Sequence, residues 1–198
     1  MDTARTLALV GMTTLFYATP GPAVLSLALS GSAFGVRRSA PYVMGLLVGL
    51  MSNLGITGLG LAVVFERFPT VGLIFRYGSL VYVLYLATKL FQPAHAADGS
   101  RRPLRFVDGI VLNLINPKAY AASLTILGAF AETGADYAAS FVWIFCVLLA
   151  VGTLVDVLWL SAGAYLSRTR WSGGMPQVWN ATFAGLLVLS VFVSVFWK

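Results

Sequence analysis

The chain has 198 residues, of which 59% are hydrophobic and only 10% charged, with a net charge of +6. A soluble domain carries about 25% charged residues, so this chain lacks the polar surface that water demands and its solvent is expected to be lipid. The lone cysteine, Cys146, excludes an internal disulfide, a cysteine metal cluster and dithiol redox chemistry, and the positive charge sits at segment flanks with no stripe for nucleic acid.

A spanning helix needs about 20 mostly apolar residues. Six stretches qualify, at 6–30, 39–64, 70–91, 106–131, 138–165 and 177–197. They are continuously apolar, which excludes the alternating strands of a membrane barrel. The expected architecture is one transmembrane domain over 1–198, all-α, with six transmembrane helices. The first stretch follows a single cation, Arg5, and is broken by two prolines, so it reads as a span and not as a cleaved leader. Were it to fall short of spanning, five spans and a cytoplasmic start would remain.

That first stretch contains TPGP at 19–22. Proline inside a helix removes a donor and clashes with the preceding turn, at about 3 kcal/mol. Thr19 and Pro22 resemble an N-cap and a first helical position, as if a new half-helix began there. The second stretch places Gly45, Gly49, Asn53 and Thr57 on one stripe; the glycines suit close helix packing. Asn53 fits an interhelical hydrogen bond and a substrate contact equally well. The third stretch carries Arg76 near its start, and the connection at 93–103 holds His95, the sole histidine. No metal site or cofactor site can be assembled from this inventory. The fourth stretch puts Asn113, Asn116, Tyr120 and Ser123 on one face, with Pro117 and Lys118 at mid-span. Asp108 near its start needs no role beyond the interface. The fifth stretch buries Asp156 and holds Cys146, which reads as a packing residue. Ionisable groups at such depth cost about 2.5–3.5 kcal/mol and mark function by default, a structural ion pair between Lys118 and Asp156 being the competing account.

Lysines and arginines divide unevenly. Arg37, Arg38, Lys89, Arg101, Arg102, Arg105, Arg168 and Arg170 flank the first, third and fifth connections, against Arg5, Arg67, Arg76 and Lys198 on the other side. By the positive-inside rule the odd connections are cytoplasmic and both termini external.

A shift of 97 residues lays LFYATPGPAVLSLALSG on LNLINPKAYAASLTILG with five identities in 17 positions, Pro20 on Pro117 among them. Each proline interrupts the first span of its half. Three spans per half is an odd number, so two such halves insert in opposite senses. The reading is two inverted three-helix repeats, about 1–92 and 104–198, joined by a cytoplasmic linker at 93–103. Interrupted spans at matching positions point to a transporter's binding site; a packing kink at each proline is the alternative.

TPGPAVL at 19–25, GLLVG at 45–49, FVDGIVLNLINPKA at 106–119 and, more faintly, WNATFAGLLV at 179–188 together resemble the LysE/RhtB family of amino-acid exporters. The resemblance covers essentially the whole chain. It implies a multi-pass protein of the bacterial inner membrane that moves amino acids or related metabolites outward on the proton gradient, often as a homodimer. Carried over, the breaks fall at Thr19, Pro20, Gly21 and Pro22 and at Asn116, Pro117 and Lys118, with Asn180 as a last-span asparagine. Two departures leave the cargo open: Leu50 stands where many members carry an acid, and YAASLTILGAF replaces a phenylalanine-rich stretch.

From these residues the expected site takes an amino acid's carboxylate on the N–H groups of the half-helices after Pro22 and Pro117. Asn53, Asn116 and freed carbonyls take the ammonium. Asp156, pairing with Lys118 in one state, is the candidate proton-coupling group. A passive channel and a scaffold subunit are the rival readings; an enzyme lacks a nucleophile–base or metal constellation.

Overall fold

The structure, a computed structural model, describes residues 2–61, 67–90 and 102–168, with single positions at 182, 185, 186 and 189. Residues 93–101 of the linker, with His95, most of the sixth stretch and Asn180 therefore lie outside the described residues. Among the described residues the protein is all-helical. Helix α1 spans Thr3–Ala18, α2 Pro22–Ile56, α3 Pro69–Leu90, α4 Phe106–Ile115, α5 Pro117–Phe130 and α6 Tyr137–Arg168. A wide helical turn, Thr57–Leu61, follows α2, and a short 3-10 turn, Gly134–Asp136, precedes α6.

Two stretches, Pro22–Gly60 and Gly134–Leu166, are long and apolar enough to cross a membrane. The pair α4 and α5, bent by 63° at Asn116, qualifies as a third when taken together. Large apolar side chains point outward along these helices, among them Leu15, Leu154 and Leu158. Cys146 joins that exposed surface and is not a packing residue as expected. An apolar exterior of this extent belongs in lipid.

Helix α2 is not straight. Gly35 has φ 75° and ψ 171°, a conformation that a side chain would strain, and there the chain turns back on itself. The Ser26 and Tyr42 hydroxyls meet at 2.6 Å, and the Ser30 and Ser39 hydroxyls at 2.8 Å. In an unbroken helix residues 26 and 42 would stand about 24 Å apart, so 22–34 and 36–56 are two antiparallel arms. The first arm continues α1 beyond the proline break; the second is the second expected span.

Glycines set the other contacts. A Cβ at Gly163 would lie 1.9 Å from the Ala28 carbonyl, and one at Gly31 2.1 Å from the Leu160 carbonyl. Further along, Gly152 faces Tyr17. Helix α6 thus runs beside α1 and the first arm in the same direction. On the other side a Cβ at Gly45 would meet the Phe106 carbonyl at 1.9 Å, Gly49 faces Ile110, and Ser123 donates to Asn53 at 2.8 Å. The second arm therefore runs with α4 and α5, opposite to α1. The small-residue stripe at 45 and 49 is a backbone-to-backbone crossing, as the sequence pattern suggested.

These directions sort the ends of the bundle. Arg37, Arg38, Arg102 and Arg105 are exposed at the end where Gly35 turns and α4 begins. The opposite end gathers Asp2, Arg5, Glu132 and Asp136; there Arg5 pairs with Glu132 and donates to the Phe130 carbonyl at 2.9 Å. Tyr137 closes the same end by donating to the Gly58 carbonyl at 2.7 Å. Two large apolar clusters, with a smaller one of Val24, Val151 and Val155 beside them, fill the interior among the described residues. One, with Leu25, Tyr42, Leu46 and Leu112, lies toward the arginine end, and the other, with Leu9, Leu54, Ile126 and Ile144, toward the opposite end.

Candidate functional site

Between those clusters the two breaks approach each other. At the first, α1 ends with Thr19 as its C-cap and α2 begins with Gly21 as its N-cap and Pro22 at the first helical position. The expectation that Thr19 caps the new half-helix is corrected: its hydroxyl turns back to the Leu15 carbonyl, closing the old one. No side chain caps α2. The Leu25 N–H bonds the Gly21 carbonyl at 3.0 Å, so the Ala23 and Val24 N–H groups are the ones that a helix start leaves unpaired. At the second break only Asn116 leaves the helical path. It serves as C-cap of α4 and N-cap of α5, and its side chain accepts from the Lys118 N–H at 3.1 Å. The Ala119 N–H bonds the Asn116 carbonyl at 3.1 Å. The expectation of anion-binding amides at both half-helices therefore narrows to the first, because α5 satisfies its own.

One side chain joins the breaks. The Lys118 ammonium donates to the Thr19 carbonyl, 99 residues away in sequence. Its stem lies over Gly21, where a Cβ would stand 2.8 Å from Lys118 Cδ and 2.9 Å from Nζ. Glycine at 21 is what lets the lysine cross. Its φ of −168° is extended backbone open to any residue, so the constraint is space and not conformation.

Beside this tie is a small cavity of about 50 Å³, room for a few waters. Gly21, Ala23 and Val24 line it from the first arm of α2, Asn113 from α4, and Asn116 and Lys118 from the second break. Phe16 and Tyr17 of α1, Leu50 of the second arm and Asp156 of α6 complete much of the wall. Asp156 is buried, 8% exposed. It forms no ion pair with Lys118: the lysine is on Thr19, and the ion pairs among the described residues are Arg5–Glu132 and Arg105–Asp108. Both ionisable groups nonetheless line one cavity.

The remaining residues singled out in the sequence take other places. Pro20, Pro22 and Pro117 shape the backbone without lining the cavity. Asn53 is buried between the second arm and α5, its oxygen taken by Ser123, and it does not reach the cavity wall. Asn113 donates to the Leu46 carbonyl at 2.7 Å, a bond that fixes α4 on α2 while its residue borders the cavity. Asp108 stands in the first turn of α4, near the span end as expected. It is buried, 4% exposed, and its carboxylate accepts from the Arg105 N–H at 2.8 Å, capping α4. Tyr17 was missed in the sequence because nothing local marks it. It reaches the cavity through the packing of its ring on Gly152.

Comparison with known proteins assigns this arrangement to a class. The sequence profile of the LysE type translocator family matches residues 14–196, and the chain belongs to that family. It is a translocator, not an enzyme. The leucine efflux protein of Enterobacter sp. (strain 638) is 24% identical over 160 residues, covering 75% of this chain and 74% of the relative. The cysteine/O-acetylserine efflux protein of Escherichia coli (strain K12) is 26% identical over 152 residues, covering 76% and 77%. No solved structure matches the chain.

Proposed function

We propose that this protein exports amino acids or closely related small metabolites across the inner membrane of a bacterium, as a multi-pass carrier coupled to the proton gradient. The observation that carries the proposal is the tie between the breaks: Lys118 reaches over Gly21 to Thr19 at the edge of a cavity whose other charged wall is Asp156. A substrate carboxylate, drawn to Lys118 and the uncapped N–H groups of Ala23 and Val24, competes with the Thr19 carbonyl for the ammonium. The substrate ammonium meets Asp156. Binding then releases one break from the other, which is a way for cargo to bias a two-state carrier.

Two inverted repeats, about 1–92 and 104–198, suit this mechanism. Their support is the shift of 97 residues and the opposite directions of the two broken spans, α1 with the first arm of α2 against α4 with α5. The arginine end is assigned to the cytoplasm and the Arg5–Glu132 end to the outside. A homodimer in contact with lipid is the assembly that the resemblance to the exporter family implies. The efflux names of the relatives favour transport over a scaffold or a passive channel.

The test is flux in proteoliposomes with an imposed pH gradient. Concentrative movement of amino acids that an uncoupler abolishes is the expected result. Asp156→Asn should lose gradient-driven flux while keeping exchange. Equilibration without concentration in the wild type would mark a channel, and full pH-driven flux by Asp156→Asn would remove that residue from coupling.

A further inference from the structure

The cavity also indicates which side chains its cargo carries. Its charged wall among the described residues is one cation, Lys118, and one carboxylate, Asp156. The backbone charges of a zwitterion consume both. A third charge on the cargo side chain would enter a buried space with no further counter-charge among the described residues, and stranding a buried charge is strongly unfavourable. The rest of the wall is Phe16, Gly21, Ala23, Val24, Leu50, Ala119 and Ala122, the amides of Asn113 and Asn116, and one hydroxyl, that of Tyr17.

Tyr17 and Leu50 stand out within that wall. They come from α1 and the second arm of α2, and both close on Gly152 of α6: a Cβ there would lie 3.2 Å from Leu50 Cδ2 and 3.4 Å from Tyr17 Cε2. Three helices thus converge on one corner of the cavity, a turn of α6 before Asp156. Three buried side-chain polar atoms lack a hydrogen-bond partner among the described residues: Thr13 Oγ1, Asn53 Nδ2 and the Tyr17 hydroxyl. Only Tyr17 belongs to the cavity wall. A buried hydroxyl left without a partner costs about 1–3 kcal/mol, so its retention at a cavity is explained by a ligand that completes it.

We infer that Tyr17 and Leu50 form the side-chain subsite and restrict the cargo to zwitterionic amino acids with uncharged side chains, Leu50 packing on aliphatic groups and Tyr17 accepting or donating to a small polar one. The inference rests on the exporter reading above. It is tested by equilibrium binding of leucine, serine, lysine and glutamate to the purified full-length protein. Leucine and serine should bind, with lysine and glutamate weaker by about 100-fold. Tyr17→Phe keeps the ring on Gly152 and should lower serine affinity relative to leucine by about 5-fold, the scale of one neutral hydrogen bond. Leu50→Asp supplies a second carboxylate and should raise lysine relative to leucine by about 10-fold or more. If Leu50→Asp does not fold, the Tyr17→Phe ratio decides alone. Lysine or glutamate binding as tightly as leucine to the wild type, or an unchanged serine-to-leucine ratio in Tyr17→Phe, would overturn the subsite. Failure of all four amino acids to bind strikes instead at the exporter reading, and the subsite falls with it.

Discussion

The two proline breaks look alike in sequence and are built differently. The second is one residue long and closed: Asn116 ends α4, starts α5 and caps the new helix with its own side chain. The first is three residues long, Thr19–Gly21, and open: no side chain caps α2, and what covers Gly21 is a lysine from the other break. The shift of 97 residues that matches Pro20 to Pro117 therefore matches only the ends of the incoming helices. The starts of the outgoing helices, Gly21 and Asn116, are out of step with it by two residues. One break is a rigid mount that presents Lys118, and the other is a receptor that leaves backbone donors for something else to bind.

The change that should strike this contrast hardest is Lys118→Met, which deletes the tie and the cavity's cation together. Export in proteoliposomes should fall by about 100-fold, the scale of losing one partner of a buried charged contact; a wild-type rate would mean that the breaks work without the tie. Next comes healing the open break. Pro20→Ala with Pro22→Ala should stabilise the helix and lower export by about 10-fold, since proline inside a continuous helix costs about 3 kcal/mol. Pro117→Ala is the sharpening control: proline at a first helical position is tolerated and the Asn116 cap stays, so its effect on export should be within about 2-fold. Equal losses from both changes would erase the distinction between mount and receptor.

Gly21→Ala should act more gently. The new Cβ meets the flexible end of Lys118 and not backbone, so the lysine swings aside. Export should drop several-fold, about 3- to 10-fold on the scale of one ordinary net hydrogen bond, with thermal stability in detergent hardly changed. The smallest effect belongs to the closed break. Asn116→Ala removes a side-chain cap worth about 1 kcal/mol, seen as a lowered unfolding midpoint. A stability loss from Gly21→Ala as large as that from Asn116→Ala would show that the first helix start is capped after all.

Both breaks were legible in the sequence because proline acts on its own turn. The lipid-facing class, the glycine crossing at 45 and 49 and the depth of Lys118 and Asp156 followed equally from local pattern. What local pattern could not supply was which residues share a space. Asn53 and Asn113 are equivalent in kind, yet Asn53 is held by Ser123 away from the cavity and Asn113 borders it; the difference lies in how α4 and α5 cross α2. Tyr17 enters the wall through a glycine on a distant helix. Asp108 stands near the start of its span as expected; only the fold shows that its carboxylate caps α4 through the Arg105 N–H. The corner at Gly35 falls where GVRR separates the first two expected spans, and the positive φ that makes the turn is a property of that one glycine.

That corner bears on how the protein comes to be made. The hydroxyl contacts Ser30–Ser39 and Ser26–Tyr42 join residues only 9 and 16 apart, so closing the arms costs little chain entropy and can precede everything else. The Lys118–Thr19 tie joins residues 99 apart and the Arg5–Phe130 contact residues 125 apart; neither can exist until much more of the chain has left the ribosome. The hairpin then enters the bilayer as a finished piece with its serines and tyrosine already satisfied, while the polar break at Thr19–Gly21 waits, incomplete, for a lysine not yet synthesised.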